Sequence, residues 1–119
     1  MNLPLHGTRV LDLTNIVAGP LGSYQLALMG ADVIKIETPG TGDLSRKMGA
    51  DLAMAKDGMG VSYLALNAGK RSITLNLKHE EAKAVFRKLV TTADVVMENF
   101  RPGVMQRLDR KSTRLNSSH

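Results

Sequence analysis

Two short apolar runs with one helical stretch between them, all within residues 9–37, constrain this chain more than any other feature. Arg9-Val10-Leu11-Asp12-Leu13 is a mostly apolar β-type run, introduced by Gly7 and closed by Thr14-Asn15. Residues 19–29 read as a helix, with Leu21, Tyr24, Gln25, Leu28 and Met29 spaced for one face. Pro20 stands in its first turn, where a missing N–H costs least, and Gly30 follows as the residue that ends it. Val33-Ile34-Lys35-Ile36-Glu37 is the second strand, β-branched and nearly continuous. Strand, helix and strand in so short a span make a βαβ unit, which implies parallel pairing and a right-handed crossover.

The rest of the chain extends that unit. Pro39-Gly40-Thr41-Gly42-Asp43 is a turn cluster. Residues 44–60 carry Met48, Met54 and Met59 without a clean period and are expected to form a mobile excursion with one helical turn. Residues 62–66 lead into the basic turn Asn67-Ala68-Gly69-Lys70-Arg71. Residues 72–77 then alternate strictly, as a strand with one apolar face does. Residues 80–91 form the clearest helix, because Ala82, Val85, Phe86, Leu89 and Val90 follow its period. Glu80 and Glu81 at its start and Arg87 and Lys88 near its end suit the helix dipole. A strand over residues 94–98, a loop over 99–103 and the first turns of a helix over 104–108 complete the pattern. The fold class is α/β, an open parallel sheet with flanking helices.

Composition removes several chemistries. A chain of 119 residues holds one domain. It has no cysteine, which excludes a disulfide scaffold, a zinc finger, an iron–sulfur site and a thiol nucleophile. Aromatic residues amount to 3%, too few for a platform that stacks single-stranded nucleic acid. His6, His79 and His119 are far apart and form no metal constellation. The first seven residues are no signal peptide, and no apolar run reaches the roughly 20 residues of a membrane span. A soluble cytoplasmic protein, with no membrane or nucleic-acid partner, is expected. The formal net charge is +5, to which Lys111 and Arg114 of the last nine residues contribute. Those residues, Lys-Ser-Thr-Arg-Leu-Asn-Ser-Ser-His, read as the translation of a sequencing-library adapter, so residues 111–119 are expected to be a non-native tail. The mild basicity that remains suits a polyanionic small ligand.

In open α/β sheets ligands bind beyond the carboxyl ends of the strands. Residues 14–19, 38–43, 75–78 and 99–103 fall there, with Lys78 and Arg101 as cations. Lys70 and Arg71 enter the third strand and are expected to point to the other edge or to a partner. The helix beginning near Pro20 aims its free N–H groups toward the first loop, a place for a phosphate or carbonyl oxygen. Alternatively, Gly19 and Gly22 only let this helix pack closely on the sheet. Glu37 stands where dinucleotide-binding folds carry a ribose-reading acid, yet Ala18-Gly19-Pro20-Leu21-Gly22 is not G-x-G-x-x-G. Ser23 lacks the G-x-S-x-G elbow of a hydrolase nucleophile.

Taken in order, several blocks resemble the class III CoA-transferases. They are residues 10–14, Ala18-Gly19-Pro20, residues 28–37, Pro39-Gly40-x-Gly42-Asp43, Asn67-x-x-Lys70-Arg71-Ser72-Ile73, residues 75–78, Ala93-Asp94-Val95 and residues 98–103. The family includes formyl-CoA transferase, the carnitine and bile-acid CoA-transferases and the α-methylacyl-CoA racemases. The resemblance implies that residues 1–110 are the N-terminal part of a larger, Rossmann-like CoA-binding domain. It implies coenzyme A or acyl-CoA as substrate, with no cofactor and no metal. It assigns CoA contacts to Val17 and Ala18 after the first strand and to Thr38 after the second, where other members often carry Arg. Further contacts fall on Leu75, Asn76, Leu77 and Lys78, on Asn99, Phe100 and Arg101, and on Arg107. Family chemistry passes an acyl group to an Asp carboxylate, releasing CoA thiolate that later attacks to form the new thioester. No Asp of this chain matches that nucleophile, so the chain alone is expected to be inactive. A homodimer is expected of the whole protein. The alternatives are a racemase of the same fold and a non-catalytic nucleotide-binding module.

Overall fold

The computed structural model describes residues 2–108, so the expected tail lies outside the described residues. Four strands form one parallel sheet in the order β3-β2-β1-β4. They are β1 (Arg9–Asp12), β2 (Asp32–Glu37), β3 (Arg71–Thr74) and β4 (Val95–Met97). β1 is central, with Val10 opposite Val33 on one side and Val95 on the other. This is the strand order of a mononucleotide-binding half-fold, with its switch point between β1 and β4.

Alternation along β1 and β2 sends successive side chains to opposite faces. Leu11, Leu13, Ile34 and Ile36 meet Phe86 of α4 (Glu80–Thr92) and Met105 of α5 (Val104–Leu108) in the larger core. Each such fully buried side chain contributes roughly 1.5–3 kcal/mol by leaving water. Val10, Ala31 and Val33 form the smaller core on the other face, with Leu26 and Ala27 of α1 (Ala18–Leu28) packed against it. Ile73, Leu75 and Leu77 reach the larger core, as their alternation requires. The ladder itself ends at Thr74, and residues 75–78 leave the sheet at its carboxyl edge.

Two expectations change. Of the α1 face read from Leu21, Tyr24, Gln25, Leu28 and Met29, Tyr24 is half-buried and the other four point outward, and Pro20 and Ser23 are the residues the helix buries. Apolar residues surround this helix almost evenly, so no side chain dictates its rotation. Small residues decide it instead. A Cβ on Gly19 would collide with the Thr14 side chain, whereas one on Gly22 would meet Met97 at an ordinary 3.5 Å. Close packing therefore explains Gly19 and not Gly22.

Residues 44–60 are helical in two places rather than one. A 3-10 turn (Leu44–Lys47) starts under the Asp43 carboxylate, which accepts the Ser45 amide. α2 (Leu52–Lys56) starts under Asp51, which accepts the Met54 amide. Such acceptors satisfy the free N–H groups of a first turn. α3 (Val61–Asn67) follows and leads into β3.

Candidate functional site

The carboxyl ends of the strands carry a network of buried charge on the α1 face. Asp12 ends β1 with its carboxylate fully buried and paired to Lys70 Nζ at 2.9 Å. Thr14 and Ser23 also donate to it. Lys70 donates further to the Pro20 carbonyl at 3.1 Å and to Asn67 Oδ1 at 2.7 Å. The expectation that Lys70 points to an edge or a partner is thus overturned: its long stem carries the ammonium under the first turn of α1. Arg71 does lie at the amino end, paired to Asp32 at 2.7 Å.

A second buried pair stands beside the first. Lys35 Nζ lies 2.8 Å from Asp43 Oδ2, with both side chains almost wholly excluded from solvent. Lys35 also donates to the Thr14 carbonyl at 2.9 Å. The other oxygen, Asp43 Oδ1, accepts the Ile16 amide at 3.0 Å and the Ser45 amide and hydroxyl. Burial works against the charge of Asp12 and Asp43. The donors around each outweigh it and hold both carboxyls below the usual aspartate range. Burial pushes the Lys70 ammonium down, against the pull of Asp12.

Glu37 shows why a dinucleotide reading fails. Its Oε1 accepts the Asp43 amide and Arg46 Nε, each at 2.8 Å. Its Oε2 accepts Arg46 Nη2 at 2.8 Å and the Ser72 hydroxyl at 2.9 Å. Against the cost of burial, these donors hold its carboxyl down at about 2. Arg46 in turn lies over the Tyr63 ring, 3.9 Å from its centre. No lone pair of Glu37 is left to read a ribose.

A cavity of about 270 Å³ opens where β1, β2 and β3 end. Thr38, Leu75, Asn76, Leu77, Lys78 and Phe100 line it, so six of the expected residues converge on one space. Leu13, Asn15, Ile36, Glu37 and Val104 complete the wall. Thr38 also borders a second, more polar cavity of about 400 Å³ beneath the 38–47 segment. Asn99 stands beside the first cavity and staples two loops: its Oδ1 accepts the Asn15 amide at 3.2 Å and its Nδ2 donates to the Asn15 carbonyl at 3.0 Å. Those loops flank the switch point, where open α/β sheets hold their ligands. Val17 and Ala18 are exposed at the start of α1, outside the cavity wall. Arg101 is exposed and does not line it either. Arg107 falls within α5, and its side chain lies outside the described residues.

The wall residues that sequence reasoning missed are mostly apolar. Leu13, Ile36 and Val104 carry no chemical signature, and only strand ends could have marked them. The buried network was traceable in part, since Asp43-x-Ser45 has the form of an Asx turn.

The chain is similar in sequence and fold to known proteins. Formyl-CoA:oxalate CoA-transferase of Escherichia coli is 44% identical over 108 residues, which cover 91% of this chain and 25% of that protein. Among solved structures, a hypothetical protein of Mycobacterium tuberculosis superposes with a TM-score of 0.79 at 45% identity, over 90% of this chain and 28% of that one. A CAIB/BAIF family protein of Brucella suis gives a TM-score of 0.79 at 37% identity, over 94% of this chain and 30% of that one. The chain spans about a quarter of the length of the curated relatives it matches. The sequence model of CoA-transferase family III matches residues 5–119, and with that match over nearly its whole length the chain belongs to this family.

Proposed function

We propose that this chain is the part of a class III CoA-transferase that binds coenzyme A, and that the whole protein moves CoA between an acyl-CoA and a carboxylic acid. The observation that carries the reading is the convergence of Thr38, residues 75–78 and Phe100 on one cavity at the strand ends. Leu13, Ile36, Leu75, Leu77 and Phe100 supply apolar walls of the kind a flat heterocycle fills. Asn15 and Asn76 offer amides, and Lys78 a cation for a phosphate.

In this reading the residues described here bind and orient the nucleotide, and a carboxylate elsewhere in the whole protein takes the acyl group. The thioester C–S bond breaks as the carboxylate–acyl bond forms, and the thiolate leaves. The thiolate then attacks the enzyme carbonyl of that anhydride and expels the donor's carboxylate. The acceptor carboxylate displaces the thiolate again, and attack of the thiolate on the acceptor carbonyl forms the new thioester and frees the enzyme carboxylate. Asp12, Glu37 and Asp43 support an outside nucleophile, because each is buried, ionised and already engaged by several donors. By the same family resemblance, the whole protein is a cytoplasmic homodimer and this segment alone does not turn over.

Calorimetric titration of CoA into the full-length protein tests the reading. Binding should weaken with salt, and Arg101→Ala and Lys78→Ala should each loosen it while the fold is kept. Absence of CoA binding to the full-length protein would overturn the assignment. Incubation with an acyl-CoA and a carboxylic acid, followed by chromatography of the thioesters, tests the reaction. A new thioester marks a transferase, whereas solvent deuterium at the α-carbon without a new thioester marks a racemase.

A further inference from the structure

Ile16 has φ +74°, and it is the only non-glycine residue with positive φ among the described residues. A β-branched side chain is a poor choice there, because its Cβ crowds the backbone in the left-handed region. Such strain persists only where surrounding contacts over-determine it.

Those contacts are the Lys35–Asp43 pair. Asp43 Oδ1 holds the Ile16 amide at 3.0 Å, and Lys35 Nζ holds the Thr14 carbonyl at 2.9 Å. Lys35 and Asp43 are joined at 2.8 Å, so one buried ion pair grips the loop on both sides of Asn15, up to the amide of the strained residue. Its anchors lie on β2 and at the start of the 3-10 turn, outside the loop itself. The next residue, Val17, caps α1 without a side-chain hydrogen bond.

We propose that Lys35 and Asp43 are positioning residues for CoA binding: they hold the Thr14 carbonyl and the Ile16 amide, keep the strained turn at Ile16, and so set Asn15 in the cavity wall where the nucleotide would meet it. The inference rests on the CoA-binding reading above. In its absence the pair would be an expensive feature, since burying two charges costs more than apolar packing of the same volume. A loop that must adopt a strained conformation only upon binding loses affinity in proportion to how seldom it visits that state. The clamp removes this loss before the ligand arrives.

The test uses the full-length protein and CoA titration, alongside thermal melting. Asp43→Asn keeps an acceptor for the Ile16 amide but breaks the ion pair, and it should weaken CoA binding on the order of tenfold. Glycine tolerates positive φ without help, so adding Ile16→Gly to Asp43→Asn should restore most of the CoA affinity without restoring the melting temperature. A purely structural role for the pair would not give that split. Wild-type affinity in folded Asp43→Asn, or a loss that Ile16→Gly leaves untouched, would overturn the clamp. If Asp43→Asn does not fold, Lys35→Gln replaces it with the same expectations. Failure of both to fold would assign the pair to folding and end the proposal. Wild-type protein that does not bind CoA would instead strike the reading beneath it.

Discussion

The two faces of the sheet are buried to a similar degree by opposite means. On the α4 face, Leu11, Leu13, Ile34 and Ile36 pack on Phe86 and Met105 with no polar side chain in the cluster. On the α1 face, Val10 and Val33 are apolar, but Asp12, Lys35 and Glu37 follow them on the same side of the strands, equally buried. Apolar packing is non-directional and degrades gradually when atoms are removed. Buried charge is all or nothing, because a partner left alone keeps its full desolvation cost. The α4 face therefore holds the sheet together, while the α1 face fixes the geometry of the loops at its carboxyl end.

Removing one charge should break the comparison most visibly. Asp12→Ala strands the Lys70 ammonium under α1 and should cost about 3–5 kcal/mol of unfolding free energy, read by urea denaturation of the full-length protein. Replacing Asp12 by Leu together with Lys70 by Met should recover much of that stability. A loss below about 1 kcal/mol for Asp12→Ala would mean that Asn67 and the Pro20 carbonyl suffice for Lys70.

Acid should act chiefly on the α1 face, because Asp32, although Arg71 also holds its carboxyl below the usual range, is substantially exposed. The Glu37 carboxyl lies at about 2 in the folded chain against an ordinary 4.5. A depressed pKa gives stability that is present in full above 4.5 and is lost as pH falls toward 2. The loss over that window should be roughly 2–3 kcal/mol, with Asp12 and Asp43 acting in the same direction. Stability that stays level between pH 5 and pH 2.5 would contradict the network.

Ile34→Val, on the α4 face, sharpens the contrast. It should cost about 1 kcal/mol, and by the same amount at pH 3 as at pH 7. The smallest effect belongs to the amino end of the sheet. Arg71 pairs with Asp32 at 2.7 Å, but both are substantially exposed and Arg9 competes for the same carboxylate. Arg71→Ala should cost less than about 1 kcal/mol, a value that a double-mutant cycle with Asp32 would verify.

What could be read in the sequence follows the same division. The βαβ unit, the alternation of Ile73, Leu75 and Leu77 and the period of α4 all report apolar burial, and each element formed within a few residues of its expected bounds. Lys35 did not reveal itself, since a lysine inside an apolar strand looks the same whether it faces solvent or a buried Asp43. Lys70 misled for a related reason: position next to a strand end says nothing about where a four-carbon stem folds. Residues 44–60 lacked a period because their helices are short and start on the capping carboxylates of Asp43 and Asp51. The convergence of Thr38, residues 75–78 and Phe100 was legible because parallel strands must release their loops at one end. Which of those loop residues would share a wall was not, because residues 75–78 had to leave the ladder to reach it.

The place of β1 at the centre of the sheet also has a consequence for the order in which the chain is made. Its partner on one side, β2, is only about twenty residues away, whereas on the other side Val10 must wait for Val95. A chain emerging from the ribosome folds its N-terminal part first, and pairing over so long a separation is slow. β1 and β2 thus meet early and expose an unpaired strand edge until β4 has been synthesised. Throughout that interval the β1 edge of the nascent segment is open to pairing with other chains, and the arrival of residues 95–97 covers it.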